Sequence, residues 1–262
     1  MDLGIKNKNV LITGASQGIG KAIALAFAKE KCNVSIIARK KGKLEEVLKE
    51  MGGKKAGHSY HIADLMEEGA PTKVVKELLE KNGTYDIVVH NVGGTLDIRD
   101  VLSPITDWNK VLKFNAGIAI EMNKYLIPPM QEQKWGRVVN ISSLSAENMH
   151  GCGPYCAAKS YLNAYTKALG KGVAKDGIVV SAIMPGTIYE EGGKWDEKNP
   201  KNAKNLEELQ RRRTDFLRHY QHIGRFGTSE EITPFVLFMA SQHVTFATTS
   251  IIPVGGTELF GL

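Results

Sequence analysis

The 262-residue chain has only three cysteines, Cys32, Cys152 and Cys156. They are too few and too unevenly spread to form a disulfide framework. A reducing compartment fits that usage. No run of about 18 apolar residues occurs, so no membrane-spanning helix is expected. The first residues, Met1-Asp2-Leu3-Gly4-Ile5-Lys6, lack the apolar stretch of a secretory signal. A cytoplasmic location is the expectation. Internal repeats and flexible linkers are also missing, which predicts one domain spanning residues 1–262. Nor is positive charge concentrated. The net charge is +6, and the densest basic cluster, Arg211-Arg212-Arg213 with Arg218, is diluted by Glu207, Glu208 and Asp215. That mixture reads as a solvated helix face, or as cations that greet an anionic substrate, rather than as a nucleic-acid groove. No metal site is expected.

What is present is a soluble globular composition, 42% hydrophobic and 24% charged. Apolar runs at 9–12, 33–38, 57–62, 86–90, 136–142, 179–183 and 250–252 read as strands. Between them, helical spacing predicts helices at 21–31, 44–51, 71–81, 106–114 and on through 125, 155–171 and 230–241. Buried strands alternating with helices predict an α/β fold. Its form would be a Rossmann-like, doubly wound parallel sheet with helices on both faces. Residues 190–227 break the rhythm. They are polar and poor in strand-formers, and a stretch that long predicts a substrate lid.

Two motifs carry chemistry. Thr13-Gly14-Ala15-Ser16-Gln17-Gly18-Ile19-Gly20 lies between the first strand and the first helix. Glycine there permits a tight turn and lets backbone N–H groups approach a phosphate, and the helix N-terminus beyond it favours negative charge. A carboxylate that would bind an adenosine ribose hydroxyl belongs about 20 residues further on. None is there. The chain has Ala38-Arg39-Lys40 instead. An arginine fork pairs with a 2′-phosphate that a carboxylate would repel, so NADP(H) is expected in preference to NAD(H). The second motif is Tyr155 and Lys159, four residues apart on one helix face. An ammonium beside a phenol favours the phenolate and lowers a pKa that otherwise sits near ~10. Such a tyrosine can exchange a proton with an alcohol or carbonyl.

In order along the chain come Thr13-Gly14 with Gly18 and Gly20, Asn91-Val92-Gly93, Asn115, Asn140-Ile141-Ser142-Ser143, Tyr155 with Lys159, and Pro185-Gly186. This set resembles the short-chain dehydrogenase/reductase family in its compact form, over residues 7–256. The resemblance implies that Tyr155 is the general acid in reduction and the base in oxidation. It implies that Lys159 lowers the tyrosine pKa and binds the nicotinamide ribose, and that Asn115 holds a relay water. Asp64 and Leu65 would meet the adenine. Asn91, Gly93, Pro185, Gly186 and Ile188 would line the cofactor, with Ser16 and Gln17 near the 2′-phosphate and Gly14, Gly18, Ile19 and Gly20 in the turn. A serine would bind the substrate oxygen. Strand register points to Ser143, twelve residues before Tyr155, whereas the family interval of thirteen points to Ser142. Loops absorb deletions more readily than strands, so Ser143 is the reading adopted.

The chain departs from the family at four places. Val92 replaces an alanine, and Gln17 replaces a basic residue frequent in NADP-using members. Tyr189-Glu190 stands where a cofactor-touching threonine is common, and Pro253-Val254-Gly255-Gly256 lacks an aspartate. The expected activity is interconversion of a ketone and a secondary alcohol. Ser143-Leu144-Ser145-Ala146-Glu147-Asn148 is similar to the segment in 7α-hydroxysteroid dehydrogenases, and a 3-oxoacyl-thioester reductase is equally open. His150, Cys152 and the lid should border the substrate. A homo-oligomer, dimer or tetramer, is implied by the resemblance alone. The rival classes are a dinucleotide-binding regulator without chemistry and a sugar-nucleotide epimerase or dehydratase. The second needs a larger substrate domain than this chain can hold.

Overall fold

The computed structural model describes residues 1–199 and 204–256. Seven parallel strands form one sheet: β1 Asn9–Thr13, β2 Asn33–Ala38, β3 Ser59–Ile62, β4 Ile87–His90, β5 Gly136–Ile141, β6 Ile178–Pro185 and β7 Ile251–Val254. Their order across the sheet is β3-β2-β1-β4-β5-β6-β7. The chain thus steps outward from β1 to β3, then returns and builds the other way from β4. That reversal opens a crevice above the carboxyl ends of β1 and β4, where ligands bind in doubly wound folds. The α-helices among the described residues are α1 Gly18–Lys29, α2 Lys41–Glu50, α3 Ala70–Asn82, α4 Ile105–Leu112, α5 Ile118–Glu132, α6 Ser145–Asn148, α7 Gly153–Val173, α8 Leu206–Tyr220 and α9 Ser229–Met239. Among the described residues no helix is long and apolar enough to cross a membrane.

Alternating side chains of buried strands feed two cores. Val10, Ile12, Ile87 and Val89 pack with Ile23 and Phe27 of α1 and Ile232 and Val236 of α9. Leu11 and Val88 face the other way, onto Val74 and Leu78 of α3 and Met122 and Leu126 of α5. The third strand starts at Ser59 rather than 57. Gly57 has φ +87° and closes a turn, so extended pairing cannot begin there. The helix carrying Tyr155 begins two residues earlier than its apolar spacing predicts, with Pro154 in its first turn. Helices α4 and α5 are joined by a π-helical turn, Lys113–Gly117, which holds Asn115.

One charge lies deep in β5. Arg137 is 2% exposed, and among the described residues it has no carboxylate partner. Its guanidinium donates to the carbonyls of Ser241 (3.1 Å), Gly136 (2.8 Å) and Gly177 (3.2 Å) and stacks over Trp135. Burial holds its pKa down to about 10, still well above neutrality. Arg137→Met keeps the apolar stem but orphans three carbonyls. Chemical denaturation should show a loss of about 3 kcal/mol or more. A loss within about 0.5 kcal/mol would mean that the carbonyls find other donors.

Candidate active site

The crevice above β1 and β4 is a cavity of about 480 Å³, within the range of small-molecule cofactor sites. Its floor is set by hydrogen bonds between loops. The Thr13 hydroxyl accepts from the N–H groups of Asn91 (3.0 Å) and Val92 (3.3 Å), and the Asn91 amide donates to the Gly14 carbonyl at 3.0 Å. These bonds lock the turn after β1 to the turn after β4. Gly14 has φ +68°, a conformation that favours glycine.

One end of the cavity is lined by Gly14, Ser16, Gln17, Ile19, Arg39, Asp64 and Leu65. Arg39 Nη1 lies 3.6 Å from Asp64 Oδ2, so the carboxylate steers an otherwise exposed guanidinium across the rim. Asp64 is itself held, its other oxygen accepting from Met66 N at 3.0 Å. Lys40 joins the lining, and Lys43 of α2 donates to Gln17 Oε1 at 2.6 Å. A cation from a neighbouring helix is thus bonded to the side chain at position 17. Sequence reading missed Lys43, because only the packing of α2 brings it there.

The other end is lined by Ser142, Ser143, Tyr155, Lys159, Pro185, Gly186 and Ile188, with Asn91 and Gly93 between the two ends. The serines diverge, as alternation along an extended chain requires. Ser142 Oγ donates to the Lys159 carbonyl at 3.4 Å, whereas Ser143 is hydrogen-bonded to Tyr155 and accepts from Ser145 N. The Lys159 ammonium donates to the Ile141 carbonyl at 2.7 Å. Asn115 does not line the cavity but stands behind it. Its amide donates to the carbonyls of Gly94 and Val111 and accepts from Gly94 N. A Cβ on Gly93 would lie 2.6 Å from Asn115 Oδ1 and 2.9 Å from Lys159 Nζ. Glycine at 93 is thus what lets these groups converge.

Two expectations need correction. Lys159 does not lower the Tyr155 pKa here. Burial pushes Tyr155 up to about 12, only partly opposed by the hydrogen bond from Ser143. Burial also pulls Lys159 down to about 7, and it lies 5.7 Å from the tyrosine ring centroid. Desolvation of the phenol, and not the partly charged lysine, sets the direction of the Tyr155 shift. In addition, two predicted turn residues do not line the cavity. Gly20 packs beneath the turn against Asn91 and the Gly14 carbonyl, and the carboxylate of Glu190 covers Gly18.

Around the cavity mouth, His150 stands outside the lining and packs edge-on against Tyr220 of α8 at 4.7 Å. Cys152 is buried at the N-terminus of α7. Within 190–227 the chain forms α8, capped by Asn205, whose side chain accepts from Glu208 N at 2.8 Å. Phe216 of α8 packs in an aromatic cluster with Trp195 and Phe226. Residues 200–203 of the expected lid lie outside the described residues.

The sequence model of the short chain dehydrogenase family matches residues 8–200. The 3-oxoacyl-acyl-carrier-protein reductase of Thermotoga maritima is 31% identical over 253 residues, 96% of this chain and 98% of its own length. Among solved structures, L-sorbose reductase from Gluconobacter frateurii complexed with NADPH and L-sorbose aligns over the whole of both chains. Its TM-score is 0.91, at 26% identity. A 3-oxoacyl-acyl-carrier-protein reductase from Agrobacterium tumefaciens C58 with NADP bound aligns with a TM-score of 0.85 at 25% identity, covering 97% of this chain and 95% of that one.

Proposed function

The chain belongs to the short-chain dehydrogenase/reductase family, and on that premise we propose that it is an NADP(H)-dependent oxidoreductase interconverting a ketone and a secondary alcohol. The observation that carries this reading is one cavity with two chemically different ends. Paired hydroxyls and a lysine stand at one end, and a glycine turn flanked by cations at the other. The residues fit a dinucleotide phosphate. Gly14, with φ +68°, keeps the turn tight, Gly93 lets Asn115 and Lys159 converge behind the cavity wall, and Arg39 and Lys40 line the rim, with Lys43 bonded to Gln17 beside them. When bound, NADPH supplies the hydride.

The chain's own groups do the rest. Negative charge building on the substrate oxygen needs donors aimed at it and then a proton. The Ser143 and Tyr155 hydroxyls are hydrogen-bonded together at the cavity wall and meet both needs. Tyr155, with its pKa near 12, holds its proton at neutral pH and is ready to give it. Lys159, titrating near 7, is suited to restore it. Asn115 is locked to the backbone and holds the Gly93–Gly94 wall in place.

A 3-oxoacyl thioester is the substrate class to test first, because the Thermotoga maritima relative acts on one over nearly the same chain length. A keto sugar is second, given the full-length similarity to L-sorbose reductase. A hydroxysteroid completes the panel. The test follows cofactor absorbance with NADPH and NADH against all three. Turnover on none of them, with normal NADPH binding, would favour a catalytically silent regulator.

Cofactor choice gives a separate prediction. Arg39→Ala removes the fork and leaves the Asp64 carboxylate without its ion-pair partner beside the proposed 2′-phosphate site. The NADPH Kd should rise about 10- to 100-fold, while NADH stays within about threefold, as titration calorimetry would show. Equal loss of both would sink the phosphate assignment.

A further inference from the structure

The phosphate-binding turn is already covered by a side chain of the protein itself. Gly18 opens α1 with φ +55°, and a methyl group placed on it would collide with both carboxylate oxygens of Glu190. Glu190 lines the cavity, and Gly18 does not. Helix α1 has no acidic residue in its first turn and no side-chain cap from Gln17. The positive end of its dipole is therefore met by a carboxylate from the loop after β6. Among the described residues no salt bridge neutralises Glu190.

The backbone on either side of Glu190 is fixed. Tyr189 N donates to the Gly227 carbonyl at 2.9 Å, and Gly227 N donates to the Thr187 carbonyl at 3.1 Å. Beyond it, Gly193 N donates to the Glu190 carbonyl at 2.9 Å, and the Asp196 carboxylate accepts from Gly192 N and Lys198 N. Trp195 of this tight turn stacks on Phe226 at 5.1 Å. The carboxylate is thus carried on an ordered strap and reaches the glycine turn from a fixed base.

We propose that Glu190 is a tethered competitor for the cofactor pyrophosphate, occupying the cradle at the start of α1 and having to leave before the dinucleotide can seat. The inference rests on the dinucleotide-binding reading above. Two like charges cannot share one cradle at low cost, and their repulsion is screened by salt. Glu190 therefore weakens cofactor affinity and makes it depend on ionic strength.

The experiment is titration calorimetry of NADPH and of adenosine 2′-monophosphate, which has no pyrophosphate, into wild type, Glu190→Gln and Glu190→Thr. The NADPH Kd should fall about tenfold in both variants at low salt, equivalent to about 1.4 kcal/mol, and by less at high salt. Adenosine 2′-monophosphate should bind all three proteins alike. Unchanged or weaker NADPH binding in both variants would overturn the inference, as would an equal gain for the monophosphate. If no protein binds NADPH or NADH, the dinucleotide reading falls and this inference falls with it.

Discussion

Tyr155→Phe is expected to lower the rate of ketone reduction about 10³-fold while leaving the NADPH Kd within about threefold. The substitution removes one oxygen and keeps the ring, so the packing of α7 is preserved. The loss should be large because no other group replaces this proton donor. Ser142 Oγ points away, to the Lys159 carbonyl, and Ser143 must hydrogen-bond the same substrate oxygen that needs the proton. Lys159 is bonded to the Ile141 carbonyl behind the ring. Stopped-flow absorbance with the best substrate of the panel would measure the rate, and calorimetry the affinity. A rate within tenfold of wild type would remove Tyr155 from the acid role.

The raised pKa of Tyr155 adds a directional test to the same pair of proteins. A phenol titrating near 12 is protonated throughout pH 6–9, so its ionisation does not limit reduction in that range. Alcohol oxidation needs the phenolate, whose population rises up to tenfold per pH unit below the pKa. Oxidation by the wild type should climb with pH, and Tyr155→Phe should abolish the climb.

What could be read from sequence, and what could not, divides along physical lines. The strands, the glycine turn and the Tyr155–Lys159 pair follow from local rules, whereas Ser143 rests on the family resemblance. Buried strands must be apolar, phosphate turns must be small, and residues four apart share a helix face. The Tyr155 pKa went the wrong way because a neighbouring ammonium is visible in sequence, whereas desolvation is a property of the packed structure. Lys43 on Gln17 and Glu190 on Gly18 were hidden for a related reason. Each joins elements that only the tertiary fold brings together. The departure at Glu190 could be seen as a missing threonine, but nothing in the sequence shows where the carboxylate lands. The π-helical turn around Asn115 has no compositional mark either, although such turns often accompany functional sites.

Lys159→Met should stabilise the cofactor-free protein at pH 6 by a few kcal/mol, even as it removes at least about 99% of turnover. Lys159 is 3% exposed, and burial alone pulls its pKa to about 7. An unfolded lysine titrates near ~10.4. Between the two values the unfolded chain binds more protons than the native one, so wild-type stability rises with pH across that window. Below about 7 the native protein carries a buried ammonium, and the full penalty applies. Methionine has a similar shape and no charge, so it removes the penalty. It also leaves the Ile141 carbonyl without its 2.7 Å donor, which costs about 1–3 kcal/mol at every pH. The variant should therefore be more stable than wild type at pH 6, lose that advantage as pH rises, and become the less stable protein near pH 10. Thermal melts across the range would reveal the crossover. A variant that is destabilised by the same amount at every pH would mean that Lys159 is well solvated. A lysine held near 7 against its own stability is a stronger acid than an ordinary surface lysine, which suits it to return a proton to the Tyr155 phenolate.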